Sequence, residues 1–95
     1  MKDTIKFKDK NWKIEHFLYF NKRKGILLVE VENEKNSFNA TINISSVRVA
    51  EDSVIIKDHD YNKGLLNVLV QEGIVSKQNI PITFGYNKVY NCKLL

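Results

Sequence analysis

From Trp12 to Phe20 the chain keeps a period of two: Trp12, Ile14, His16, Leu18 and Phe20 share one parity, and Lys13, Glu15, Phe17 and Tyr19 share the other. Strand side chains alternate between faces, so this run is a strand with one mostly apolar face. The same period recurs on both sides of it. Ile5 and Phe7 alternate with Lys6 and Lys8, and Lys8-Asp9-Lys10-Asn11 supplies turn residues, which together predict an opening hairpin. Asn21-Lys22-Arg23-Lys24-Gly25 predicts the next turn, followed by a strand over 26–32.

A one-residue slip would move every side chain of this second hairpin to the wrong face, so its register can be argued. Pairing Leu18 with Leu27 sets His16 against Val29, Ile14 against Val31 and Lys13 against Glu32, which segregates apolar from charged residues. Pairing Leu18 with Leu28 sets His16 and Ile14 against Glu30 and Glu32. The first register is preferred. It leaves Phe17 and Tyr19 beside Ile26 and Leu28 on a face that something must cover or bind.

Further on, Phe38, Ala40, Ile42 and Ile44 alternate with polar residues in a half-exposed strand, and Val54-Ile55-Ile56 reads as a short buried one. The period then changes. Leu65, Leu66, Val68, Leu69 and Val70 form a helical stripe, with Asp60 or Asn62 as N-cap and Gly73 just past the end. Ile80-Pro81-Ile82 suggests an edge or entry segment and 89–94 a last strand. The expected fold class is α+β: an antiparallel sheet of five or six strands with a single helix packed on one face, the helix lying between the last two strands.

The 95 residues are expected to form a single domain over 1–95, and the 43% hydrophobic and 11% aromatic content is sufficient for one core. No uninterrupted apolar stretch exceeds four residues, far short of the roughly 18 needed to cross a bilayer. The opening Met1-Lys2-Asp3-Thr4-Ile5-Lys6 has no apolar core of a secretion signal behind it, so a cytoplasmic location and no membrane partner are expected. Cys92 is the sole cysteine, which excludes internal disulfides and multi-cysteine zinc sites. The net charge of +4 is unevenly spread: eight Lys/Arg against three Asp/Glu in 1–25, three against seven in 26–60, and four against one in 61–95.

Several segments carry a resemblance. Ala40-Thr41-Ile42-Asn43-Ile44, Val54-Ile55-Ile56-Lys57-Asp58, Asn62-Lys63-Gly64-Leu65-Leu66, Leu69 and Gly73-Ile74-Val75 resemble a family of small uncharacterised proteins carried on conjugative transposons and phage-like mobile elements of anaerobic and Gram-positive bacteria. That family usually has a tight Asn-Gly hairpin where this chain has Asn21 to Gly25. The resemblance implies an accessory protein of a mobile genetic element, with a host-directed anti-defence inhibitor as one form. It carries over no catalytic residue.

Candidate chemistry is sparse. Asp58-His59-Asp60 is the densest group of potential ligands, but three consecutive residues point in different directions, and a polar strand-to-helix loop explains them. Nothing in the sequence fixes Cys92 near His16 or His59 as a nucleophile and base. The four glycines are scattered at 25, 64, 73 and 85 and form no phosphate loop. No enzyme, metal or cofactor is expected. The remaining candidates are Lys13, Phe17, Tyr19, Lys22, Arg23 and Lys24 of the early hairpins, as a surface for a protein partner, either a host protein or a second copy in a homodimer. The alternative is nucleic-acid binding by the same basic and aromatic hairpin, which Glu15, Glu30 and Glu32 would oppose.

Overall fold

The computed structural model describes residues 3–95. Along them run β1 (Thr4–Phe7), β2 (Lys10–Leu18), β3 (Lys24–Glu30), β4 (Ser37–Asn39), β5 (Ser53–Lys57), a 3-10 turn (Asp60–Asn62), α1 (Leu65–Gln71), β6 (Val75–Phe84) and β7 (Asn87–Leu94). Met1 and Lys2, which open the segment read for a secretion signal, lie outside the described residues. All pairings are antiparallel, in a four-stranded sheet ordered β1-β2-β3-β4 and a three-stranded sheet ordered β5-β7-β6. The α+β class and the single helix agree with the sequence. The strands differ from expectation, being seven in two sheets, with two strands after the helix where one was expected. The extra strand comes from Gly85-Tyr86, a two-residue loop with Gly85 at φ 64, which joins β6 and β7 into a hairpin between the partners Phe84 and Asn87.

The two sheets share one extended segment. Phe38 and Asn39 pair with Leu28 and Leu27 of β3, and the Ala40 N–H donates to Ile26 O at 2.9 Å. On its other edge Ala40 O accepts the Lys57 N–H at 2.9 Å, Thr41 bridges to Ile56, and the Ile42 N–H donates to Ile55 O at 3.0 Å. The half-exposed strand expected from Phe38 to Ser45 is therefore cut short as a strand at Asn39, because the chain changes sheets at Ala40 and Thr41.

The register of β2 and β3 is neither of the two weighed from the sequence. Trp12 pairs with Glu30, Ile14 with Leu28, His16 with Ile26, Phe17 with Gly25 and Leu18 with Lys24. The turn decides this. The Lys22 N–H donates to Tyr19 O and the Tyr19 N–H to Arg23 O, both at 2.8 Å, so the loop is only Phe20-Asn21-Lys22, with Lys22 in the left-handed region at φ 69. A three-residue loop ending in a left-handed residue fits the twist of the flanking strands. Partners across a ladder share a face, so Ile26 and Leu28 join Trp12 and Ile14 in the core, fully buried, and do not lie beside Phe17 and Tyr19.

The core faces of both sheets close around Trp12, Ile26, Leu28, Ile56, Leu65, Leu69, Ile74 and Cys92. Trp12 donates its indole N–H to Phe7 O at 2.9 Å and meets Phe38 edge-on, with centroids 4.7 Å apart. Leu65 and Leu69 are the fully buried residues of α1, one helical turn apart. The helix stops where Gly73 takes φ 74, with the Gly73 N–H on Val70 O and the Ile74 N–H on Leu69 O, a Schellman ending. Its start corrects the expected cap. Gly64 holds the N-cap position and Asp58 Oδ1 accepts the Leu66 N–H at 2.9 Å, whereas Asn62 is buried and donates to Asn39 O at 2.9 Å, tethering β4. Asp60 lies exposed in the 3-10 turn.

At the far side β6 is an open edge, as the Ile80-Pro81-Ile82 segment suggested. Counting the hydrogen-bonded and open pairs back from the loop turns the Pro81 nitrogen outward. A proline there removes a donor from the free edge and discourages strand addition.

Candidate functional site

One face of the first sheet packs on the core and the other faces outward. The ladder pairs place residues on that outer face in rows: Thr4, Lys13, Val29 and Ser37 in one, Glu15, Leu27 and Asn39 in the next, Phe17 and Gly25 in the third. Leu27 and Val29 are half-buried, and Val31, at the end of the same strip, is 51% exposed. Together with Lys13, Glu15, Asp3, Glu30 and Glu34 they line an open depression of about 520 Å³. Carboxylates dominate its wall, although the chain as a whole is cationic. Glu30 is held by Asn36 Nδ2 at 2.8 Å and by Lys10 at 3.6 Å, and Lys13 stands 4.0 Å from Glu15.

The six residues singled out from the sequence are spread over three surroundings. Lys13 belongs to the depression. Phe17, Tyr19 and Arg23 form a seam that docks the hairpin tip onto the segment after β4. The Phe17 ring covers Gly25 and meets Tyr19 edge-on, with centroids 4.8 Å apart. Tyr19 Oη and Thr41 Oγ1 share a hydrogen bond of 2.9 Å. The Arg23 guanidinium donates to Ile44 O at 2.6 Å and also to Val47 O, and Asn21 Nδ2 donates to Asn43 Oδ1 at 3.2 Å. Phe17 and Tyr19 are thus half-buried and engaged, where an open aromatic patch was expected. Lys22 and Lys24 remain exposed and line a polar cleft of about 550 Å³ with Val49, Ala50, Glu51 and Ser53. Lys24 also borders an apolar groove with His16, Leu18 and Leu94, because its pairing with Leu18 places it on the other face.

Other candidates resolve locally. Asp58 is committed to the helix start. His59 Nε2 lies 3.9 Å from Asp60 Oδ2, while its Nδ1 is buried without a hydrogen-bond partner. Among the described residues no three His, Cys, Asp or Glu side chains converge as metal donors. Cys92 is buried in the core, and desolvation pushes its thiol up to about 11, so it is protonated and weakly nucleophilic near neutral pH.

Sequence reasoning missed Ile80, Phe84 and Tyr86 on the β6–β7 hairpin, which are 66%, 44% and 107% exposed. The signal was the Gly85-Tyr86 pair between two alternating runs, a two-residue hairpin loop. Among the described residues no helix is long and apolar enough to cross a membrane. No family model matches the chain, and neither a curated protein nor a solved structure matches it.

Proposed function

We propose that this chain is a non-enzymatic, cytoplasmic protein-binding module that works through the outer face of its first sheet. The observation that supports this reading is the Leu27-Val29-Val31 strip, apolar and accessible, on the sheet face turned away from the core. Apolar strips rimmed by polar groups are the usual anatomy of a protein contact. The role of an accessory protein of a mobile element, acting as an anti-defence inhibitor of a host protein, draws on the family resemblance alone.

Nucleic-acid binding is the competing reading, and exposed Lys22 and Lys24 favour it. Two features count against it. Arg23 spends its guanidinium on Ile44 and Val47, and the depression on the outer sheet face carries the accessible carboxylates Asp3, Glu15 and Glu34, which repel phosphate. The two readings separate on capture of the tagged chain's partner from nuclease-treated lysate at rising salt. A protein retained after nuclease, only weakly salt-sensitive and lost with Val29→Gln/Val31→Gln, supports the module. Retention that disappears with nuclease or with Lys22→Glu/Lys24→Glu supports the competitor.

A further inference from the structure

We propose that the outer face of the first sheet takes a basic segment of its partner, one that alternates Lys or Arg with aliphatic residues. The inference rests on the protein-binding reading and adds the chemistry of the partner. The floor is a strip along β3 and the residue that follows it: Leu27, Val29 and Val31, whose N–H donates to Asn11 O, recur at every second residue, which in a strand repeats about every 6.6 Å. An extended segment laid over that strip repeats its side chains at the same interval, so its aliphatic residues meet the floor while those between start on the side away from it, from where only a long Lys or Arg stem can fold back over the segment's edge to bring its charge to the rim. The rim is acidic. Glu15 stands across from Leu27, Asp3 and Glu34 complete the accessible carboxylates, and Glu30 is already held by Lys10 at 3.6 Å; among the described residues Lys13 lines the depression and Lys6 shares its face beside Asn11.

This local sign is opposite to that of the whole chain, whose net charge is +4. An acidic partner would be repelled at the face and attracted elsewhere, whereas a cationic one is repelled by the molecule as a whole and held here. Charge complementarity of this kind selects partners and orients them more than it adds affinity. The aliphatic floor supplies the remainder, and a depression of about 520 Å³ has room for several side chains.

Two synthetic hexapeptides test this, Lys-Leu-Lys-Val-Lys-Leu and its Glu-for-Lys counterpart, titrated into methyl-labelled protein and followed by NMR. The Lys peptide is expected to shift the Leu27, Val29 and Val31 methyls, and its dissociation constant to weaken by about tenfold or more in Glu15→Lys/Glu34→Lys. The Glu peptide is expected to leave those methyls unmoved. No shift with the Lys peptide, shifts confined to other residues, equal binding of the Glu peptide, or undiminished affinity in a Glu15→Lys/Glu34→Lys protein of wild-type melting temperature would each overturn the inference. The lysate partner separates the two levels. Loss with Val29→Gln/Val31→Gln but full retention with Glu15→Lys/Glu34→Lys keeps the protein-binding face and discards the basic segment. Retention with both discards both.

Discussion

The ring of Phe17 lies on the backbone of Gly25, its partner across the β2–β3 ladder: a Cβ at residue 25 would stand 2.4 Å from Phe17 Cζ. The glycine makes room for the ring, and the ring shields a strand backbone that has no side chain of its own. Gly25→Ala would push the ring off its seat and away from Tyr19. We expect it to lower stability by about 1–3 kcal/mol, as overpacking does. In a Phe17→Ala background the same substitution should cost much less, and denaturant melts of the four proteins measure that coupling. Additive costs would show that ring and glycine do not depend on each other.

Thr41 holds the junction of the two sheets through its hydroxyl. Its Oγ1 accepts the Ile26 N–H at 3.1 Å and shares a hydrogen bond with Tyr19 Oη, in a residue only 3% exposed. Thr41→Val keeps the shape but leaves the Ile26 N–H buried without an acceptor, a loss of about 1–3 kcal/mol. Thr41→Ser keeps the oxygen and should recover most of it. Equilibrium urea unfolding distinguishes the two, and equal stability of the Val variant and wild type would contradict this role.

Cys92 should resist thiol reagents in the native protein and react fully once unfolded. Burial raises its thiol from 9.0 to about 11, so the native state holds its proton in a range where the unfolded chain has lost it. The sign follows from that difference. The contribution of this group to stability is complete below the unfolded value of about 9 and is lost as pH rises through about 11. Thiolate absorbance followed across a pH titration of native protein checks the shift. Rapid labelling at neutral pH without unfolding would contradict it.

The strands that alternate cleanly, and the helix with its stripe and Gly73, were legible because each signal is local. The register was not, because it is set by a loop whose left-handed residue is a lysine, and nothing in Phe20-Asn21-Lys22 resembles the usual glycine at that place. That error moved Ile26 and Leu28 onto the outer face in place of Leu27 and Val29. Arg23 and Tyr19 read as surface residues, yet their partners lie 21 to 24 positions away in a segment without regular structure. Such contacts leave no periodic trace in a sequence. The acidic depression was also hidden, since Asp3, Glu15 and Glu34 meet only once β1 to β4 are assembled.

The proposed interface is the outer face of the first sheet and not the cationic tip. Its most direct measurement is the affinity of the captured partner for three proteins of equal thermal stability: wild type, Val29→Gln/Val31→Gln, and Lys22→Glu/Lys24→Glu. The Gln variant is expected to lose binding by about tenfold or more while the Glu variant stays close to wild type. Full affinity in the Gln variant, with loss in the Glu variant, would contradict it and move the site to the hairpin tip.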